Sequence, residues 1–392
     1  MKQLLNLWFR ANARLLLPLI PAIALTMLLT NVSQAALANF AVPGSVIVFP
    51  KFQQGTVVVN DVTLPSTEIH VGAVCPSDET PSACANEKVT ILFNWVCPGY
   101  QTTGGYVCES NDFIVTISVN GEAVFYPGTG TSTYTPLPGL TVVPYASCSR
   151  GYLIGVVINN RQQLARFDGL IGNAVLRNAQ GIEEAYSALA IQADPNTPEG
   201  NILSYPGAPF SVTDVKAQIV FDGGPGHYLQ PPGQFSGEVA YDSDVKAPFT
   251  DTQLILLTLD VVRDGFNPST TVNLNFYADN QDEIASVNTS FICWEEVKLS
   301  SNFASPSNAW LSNSLTAAGA ASAGGTSNTG VVTSGQAFRA RFPNLQHRFD
   351  VSLLALVETT SGLTAGPQSA TQSHIFQTFN NSLPIAATFS YP

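Results

Sequence analysis

The sequence predicts an all-β protein of two tandem β-sandwich domains that follow a cleaved signal peptide. Three observations lead to this prediction: an export signal at the start, short apolar segments of period two after it, and a weak match between the two halves. Charged residues make up only 11% of the chain and hydrophobic residues 45%, so few segments have the composition of an amphipathic helix. Abundant Gly, Pro, Ser, Thr and Asn are typical of a β-protein with many turns.

Residues 1–38 have the three parts of a secretory signal peptide. Basic residues precede an apolar run over 15–29, and small residues then precede Ala35 and Ala38 in two candidate cleavage motifs. A membrane anchor is disfavoured because a span needs about 20 apolar residues and two prolines interrupt this run. We expect cleavage at one of these alanines and secretion to the periplasm, the cell surface or the medium. We expect no transmembrane segment in the mature chain.

The rest of the chain is a series of short apolar or alternating segments between turn residues. Their lengths and period of two are typical of sandwich strands. One weak helix candidate lies at 178–189. The predicted strands include 45–49, 67–74, 89–96, 113–119, 151–158, 187–193, 217–221, 253–262, 271–277, 285–294 and 351–358.

Four short segments of the first half recur in order in the second half, at spacings of 182 to 185 residues. An ordered set of this kind favours an internal duplication over a coincidence of β-rich composition. We expect a first domain at 39–205 and a second at 206–392, with a flexible, Ser- and Gly-rich loop at about 304–335. The matched segments begin at Thr67 and Thr252, Val89 and Val272, Ser149 and Thr333, and Arg166 and Arg348.

Six cysteines in an exported chain predict three disulfides. Closeness in sequence favours Cys75–Cys84 and Cys97–Cys108, and elimination leaves Cys148–Cys293, which would join the two domains. The sequence alone allows all of the 15 pairings that six cysteines can form. Zinc is disfavoured because the chain has no Cys-x-x-Cys pair.

The formal net charge of −12 at pH 7 argues against nucleic acid and anionic membranes as partners. Calcium is the strongest cofactor candidate, because acidic turns supply the oxygen ligands that it prefers. The candidate ligands are Asp279, Asp282 and Glu283, and two further acidic turns lie at 242–244 and 194–199. None has EF-hand spacing, and a solvated acidic turn is the alternative. We expect no other cofactor.

The chain contains no His-Glu-x-x-His, Gly-x-Ser-x-Gly or Walker sequence. We expect the segment 166–168 and its counterpart 348–350 to place a Phe inward between an Arg and an Asp that form a cross-strand surface pair. No serine and no carboxylate pair is singled out for catalysis. We therefore predict that the protein is not an enzyme. Its four histidines are His70, His227, His347 and His374, of which we expect the first two to have ordinary surface roles.

Several longer segments carry a resemblance to known sequences. Gly44-Ser-Val-Ile-Val-Phe-Pro-Lys-Phe, Arg150-Gly-Tyr-Leu-Ile-Gly-Val-Val-Ile and Arg166-Phe-Asp-Gly-Leu-Ile-Gly-Asn-Ala resemble segments shared, in this order, by a broad group of uncharacterised exported bacterial proteins. The resemblance implies export from a bacterium and a β-rich fold, and it brings no known activity.

These observations together predict a non-enzymatic structural or adhesion protein, secreted or on the cell surface. Its partners would be copies of itself, other surface proteins or glycans, because duplicated sandwiches commonly present loops or edge strands to a partner. The alternative is a carbohydrate- or calcium-dependent extracellular binding module.

Overall fold

Nine of the described strands of the first half form two antiparallel sheets, which we name sheets A and B. In this computed structural model the described residues are 38–84, 87–103, 105–128, 143–177, 183–198, 200, 218–231, 235–239, 249–259, 261, 267, 269–277, 283–298, 336–341, 354–362, 369–374 and 387–390. Sheet A has the order β12-β11-β4-β9, and sheet B has the order β13-β1-β10-β5-β8. Their strands are β1 (Val46–Gln53), β4 (Thr67–Ala73), β5 (Lys88–Val96), β8 (Ser110–Ser118), β9 (Glu122–Phe125), β10 (Arg150–Ile158), β11 (Leu170–Arg177), β12 (Glu183–Ser187) and β13 (Leu189–Ile191).

The described strands of the second half form sheets C and D. Sheet C has the order β19-β16-β21-β22, and sheet D has the order β15-β20-β17-β18. Their strands are β15 (Phe235–Val239), β16 (Phe249–Leu257), β17 (Thr270–Tyr277), β18 (Glu283–Phe291), β19 (Trp294–Lys298), β20 (Gln336–Arg341), β21 (Leu354–Gly362) and β22 (Ser369–His374).

Short elements lie outside these four sheets. The hairpin of β2 and β3 turns at Asn60 and Asp61, whose positive φ angles of 49° and 65° suit the tight turn that joins twisted strands. One four-residue helix, α1, is described. These elements are β2 (Thr56–Val59), β3 (Val62–Pro65), α1 (Pro81–Cys84), β6 (Tyr100–Gln101), β7 (Tyr106–Val107), β14 (Gln218–Phe221) and β23 (Ala387–Ser390).

Sheets A and B pack face to face around an aromatic core. The rings of Phe93 and Trp95 in β5 contact Phe125 of β9, with centroids 5.3 Å and 6.0 Å apart. Gly155 of β10 leaves room for this cluster, because a Cβ atom there would lie 2.3 Å from the Phe93 ring. Aromatic pairs in such edge-on geometry stabilise a core beyond the area that they bury. The first half is therefore a β-sandwich, as predicted.

Sheet B is covered on its other face by sheet C. Strand β1 contacts β16 and β21, and β10 contacts β19. Strands covered on both faces lose the alternation of polar and apolar residues: Val46–Phe52 and Gly151–Ile158 are buried throughout. On the far side of sheet C, β21 contacts β15 of sheet D. The edge strand β22 of sheet C also contacts β12 of sheet A, and the described residues of both halves share one hydrophobic core within the compact unit 36–392.

Sheets C and D repeat the strand order of sheets A and B. The order β1-β10-β5-β8 within sheet B matches the order β15-β20-β17-β18 of sheet D, where each strand is replaced by its counterpart along the chain. Likewise β4, β9, β11 and β12 of sheet A correspond to β16, β19, β21 and β22 of sheet C. Each of these neighbouring pairs is antiparallel.

All six cysteines form disulfides, which we name by loop length: the short bridge Cys75–Cys84, the middle bridge Cys97–Cys148 and the long bridge Cys108–Cys293. The predicted short bridge is confirmed, whereas the predicted pairs Cys97–Cys108 and Cys148–Cys293 are wrong. The β5–β8 ladder explains the error. The Cys97 amide donates to the carbonyl of Glu109, so Cys108 lies one residue out of register and faces the opposite side of the hairpin.

Other sequence predictions have mixed outcomes. The weak helix candidate at 178–189 is wrong for its described part, which contains the strand β12. The signal peptide, the domain boundary at 205–206 and the loop at 304–335 lie outside the described residues. Within the described ranges, no helix is both long and apolar enough to cross a membrane.

Candidate functional site

Lys51 lies in a buried cluster of charges where β1 meets sheet C. The register of β1 against β10 shifts between Phe49 and Phe52, and this irregularity directs Lys51 toward the second half. Its Nζ donates to Glu358 Oε2 of β21 at 2.6 Å and lies 3.0 Å from Glu296 Oε1 of β19. The Lys51 side chain is only 10% exposed, and that of Glu358 only 6%.

Residues of two further strands complete this cluster. Arg150 of β10 pairs through Nη1 with Glu296 Oε2. The Tyr186 hydroxyl of β12 donates to the Lys51 carbonyl and accepts the Lys51 amide N–H at 3.2 Å. We call the set Lys51, Arg150, Tyr186, Glu296 and Glu358 the Lys51 cluster. Its two cations balance its two carboxylates.

Burial and charge act in opposite directions on Lys51. Burial alone would lower its pKa, but the attraction of Glu358 and Glu296 and the hydrogen bond to Glu358 outweigh this effect and raise the pKa above its ordinary value. Burial raises the pKa of the Tyr186 hydroxyl well above its ordinary range. Glu358 Oε1 is buried and has no hydrogen-bond partner among the described residues. One of the four carboxylate oxygens in the cluster is therefore left without a donor.

Further polar contacts join the two halves around this cluster. The Trp294 indole N–H donates to the Pro50 carbonyl at 2.7 Å, and the Tyr152 hydroxyl donates to the Thr258 carbonyl at 3.0 Å. The amide of Gly99 donates to the carbonyl of Ile292 at 2.9 Å. The long bridge adds a covalent link, since Cys108 precedes β8 and Cys293 precedes β19. A disulfide between the halves was predicted, although with Cys148 as its first-half partner.

The predicted calcium site is not tested by the described part of the structure. Asp279 and Asp282 lie outside the described residues, and Glu283 begins β18. Among the described residues, no group of three or more His, Cys, Asp or Glu is arranged to hold a metal ion. In the turn at 194–199, Asp194 Oδ1 accepts hydrogen bonds from the backbone and side-chain nitrogens of Asn196 at 3.2 Å and 3.0 Å.

Two histidines are described with their side chains. His70 lies on the outer face of sheet A, with Nε2 2.9 Å from Glu68 and Nδ1 2.8 Å from Glu122. His227 lies in a loop, with Nδ1 2.7 Å from Asp222 Oδ1. The locations on the polar face of a strand and in a loop match the expectation, and both side chains are half-buried. His347 lies outside the described residues, and His374 ends β22.

The segment at Arg166 is a buried loop cluster rather than the predicted cross-strand surface pair. Arg166 is 8% exposed, and its guanidinium contacts Asp168 at 3.0 Å and Asp78 at 2.6 Å. Asp168 Oδ1 in turn accepts the Ser45 hydroxyl at 2.7 Å and the Ala193 amide at 2.9 Å. The predicted inward position of Phe167 and the pairing of Arg166 with Asp168 are confirmed, but the cross-strand surface placement is wrong because residues 166–168 form a loop after β10. The counterpart at 348–350 lies outside the described residues.

Sequence reasoning missed the Lys51 cluster altogether. The available signal was a single lysine within the apolar run 44–52 and a single glutamate closing the apolar run 353–358. A charge within a predicted buried strand is rare unless it is paired. Its partners, however, are far apart in sequence: Lys51 and Glu358 are separated by 307 residues.

Comparison with known proteins gives no relative from which a role could be carried over. No protein-family model matches the chain, and no curated protein matches it.

Proposed function

We propose that this protein is an exported, non-enzymatic structural component of the cell surface or extracellular matrix. In this proposal it consists of a duplicated β-sandwich whose two halves are fastened into one rigid body. The observation that carries the proposal is the set of contacts between sheets B and C. Buried ion pairs, hydrogen bonds and a disulfide all cross that boundary.

The strand ladders support the duplication. Ile158 lies opposite Thr90 in sheet B, and Arg341 lies opposite Asn273 in sheet D, each 183 residues further along the chain. Val71 lies opposite Gly172 in sheet A, and in sheet C their counterparts Leu256 and Ala355, which are 185 and 183 positions later, lie opposite each other. The equivalence therefore extends from strand order to residue register, which similar composition alone does not require.

The burial of the Lys51 cluster supports a structural role over a catalytic one. A general acid, base or nucleophile must come within hydrogen-bond reach of its substrate. As whole residues, Lys51 is 8% exposed and Glu358 5% exposed, and the five members of the Lys51 cluster come from five strands of both halves. These groups form ion pairs that join the two halves, and this mutual pairing compensates for their desolvation.

The three disulfides support export. Disulfides form and persist in oxidising compartments and are rare in the cytosol. The bridges involve all six cysteines of the chain, so a reducing environment would remove every covalent cross-link of this kind.

Fractionation of the producing cells tests this proposal. We expect to find the mature chain in the envelope or the medium. Size-exclusion chromatography without reductant should show it as part of a high-mass assembly, and a periplasmic enzyme serves as the compartment marker. Recovery as a soluble periplasmic monomer would overturn the structural proposal and direct attention to ligand binding.

One surface observation favours a carbohydrate-binding module as the second candidate. Tyr100 is 47% exposed and Tyr145 60% exposed, and exposed aromatic rings can stack on sugars. Both lie near the start of β8: the Tyr100 hydroxyl donates to Glu109 at 3.0 Å, and the Tyr145 carbonyl accepts from Asn111 at 2.9 Å. Binding on a glycan array that is lost in Y100A/Y145A, but kept in Y100F/Y145F, would support this candidate. Equal binding by all three proteins, or none, would remove it.

A further inference from the structure

We propose that Lys51 and Glu358 become joined by an intramolecular amide bond after folding, with Glu296 carrying the proton. The reaction needs an amine, a carboxyl carbon and a proton carrier in one buried site. The Lys51 cluster brings these three groups together at the junction of β1, β21 and β19. The inference concerns covalent structure and does not depend on where the protein resides.

The geometry places the amine beside the carbon that it would attack. Lys51 Nζ lies 2.6 Å from Glu358 Oε2, and the carboxyl carbon is one bond further. Bound groups react efficiently when the reacting atoms are held about 3–3.5 Å apart. Both partners are held in place: Tyr186 fixes the backbone of Lys51, and Glu358 lies in β21 between two paired strands.

The reaction starts from the charged pair: burial lowers the pKa of Lys51, but the attraction of Glu358 and Glu296 outweighs this effect and raises the pKa above its ordinary value. Attack requires a neutral amine and a neutral carboxylic acid, and transfer of one proton from Lys51 to Glu358 produces both without changing the net charge. Desolvation penalises the ion pair relative to the neutral pair. Glu358 Oε1, buried and without a hydrogen-bond partner among the described residues, has no donor to stabilise a negative charge.

Glu296 is positioned to move the proton that the reaction releases. Its Oε1 lies 3.0 Å from Lys51 Nζ, and its Oε2 is held by Arg150. A carboxylate within hydrogen-bond reach of the attacking nitrogen meets the geometric requirement for a general base. Glu296 would accept a proton from Nζ as the C–N bond forms and return it to the departing oxygen.

The step balances without a cofactor. The bond between Lys51 Nζ and Glu358 Cδ forms, one C–O bond of the carboxylic acid breaks, and one water molecule leaves. Nothing is oxidised or reduced. The product is a ring that closes across a separation of 307 residues and contains all three disulfides, so it would persist after their reduction.

The test is the intact mass of the purified full-length mature protein after complete reduction. We expect the wild-type protein to be lighter than its sequence by one water molecule and to yield a branched peptide joining Lys51 to Glu358. On a reducing denaturing gel it should migrate ahead of K51R, which keeps the positive charge but cannot form this amide. A wild-type protein with its full sequence mass and no branched peptide would overturn the proposal.

Two substitutions separate the chemistry from a merely structural role. E358Q can form the same amide with loss of ammonia instead of water, so it should give a cross-linked product of the same mass as the wild type. E296Q keeps the size and hydrogen-bonding capacity of Glu296 but not its basicity, so cross-linking should slow by about 100-fold or more. Equal cross-linking rates in E296Q and wild type would exclude the role of Glu296. The wild-type mass decides the bond itself, even if a variant fails to fold.

Discussion

Removal of the long bridge should lower stability more than removal of either other disulfide. A cross-link reduces the conformational entropy of the unfolded chain by an amount that grows with the logarithm of the loop. The three bridges span 185, 51 and 9 residues. At 25 °C these loop lengths correspond to about 5 kcal/mol for the long bridge, about 4 for the middle one and about 2.5 for the short one.

The assay is equilibrium unfolding in urea, followed by the fluorescence of the buried Trp95 and Trp294. Each bridge is removed by replacing both cysteines with alanine, so every variant loses the same two sulfur atoms and the comparison isolates loop length. We expect the free energy of unfolding to fall most in the variant without the long bridge and least in the variant without the short one. Far-ultraviolet circular dichroism provides the control that the strands still form.

Equal losses in all three variants, or the largest loss without the short bridge, would refute this reasoning. Either result would mean that packing around the sulfur atoms, rather than the entropy of the unfolded chain, sets the contribution of these disulfides. The long bridge would then not be the dominant covalent stabiliser of the junction between the halves.

Three further substitutions test the core and its buried polar groups. R166M should lower the free energy of unfolding by about 3–5 kcal/mol, because it leaves Asp168 without its guanidinium partner; a loss under about 1 kcal/mol in urea unfolding would contradict a buried pair. G155A should lower it by about 1–3 kcal/mol, because the new Cβ would lie 2.3 Å from the Phe93 ring; an unchanged melting temperature would refute this clash. Burial raises the pKa of Tyr228, so the unfolded chain ionises first and stability should fall as the pH rises above about 10, by up to about 1.4 kcal/mol per pH unit for this group. In Y228F the free energy of unfolding should fall less steeply with pH. If urea unfolding gives the same dependence on pH for Y228F and the wild type, Tyr228 does not contribute to the loss of stability.

Periodicity predicted the strands of this protein well because a strand is defined by local pattern. The alternation in Thr67–Ala73 corresponds to a strand with one face in the core and one outside. Runs without alternation, such as those in β1 and β10, correspond to strands covered on both faces. The sequence could not reveal which sheet packs against the second face of these strands, because that packing involves segments far apart in the chain.

Two of the disulfide pairs and the Lys51 cluster could not be predicted from local sequence patterns. Cys97 and Cys108 are close in sequence, but a one-residue offset across a hairpin sends their side chains to opposite faces. Lys51 is an isolated charge in its own segment, and only the fold brings Glu296 and Glu358 to it. Both features depend on register and sheet order, which the residue pattern of one segment does not contain.

The repeated sheet order raises the question of whether two molecules can stack through sheets D and A. Sheet B covers sheet C, and sheets A and C are equivalent, so sheet D of one molecule could in principle cover sheet A of another. Such a head-to-tail contact generates open filaments unless something blocks it. In sheet C the covered face includes Ile255 and Trp294, which are buried. By ladder register the equivalent positions in sheet A are His70 and Glu122.

These two residues make sheet A unsuitable for a further layer. His70 contacts Glu122 at 2.8 Å, and burial of this polar pair would cost desolvation without a new partner. A polar outer face is how terminal units of stacked repeats stay soluble. H70I/E122W, which copies the residues of sheet C onto sheet A, should therefore increase concentration-dependent association in analytical ultracentrifugation, whereas the matched H70Q/E122Q should not. If both variants sediment like the wild type, the polar face of sheet A is not what prevents association.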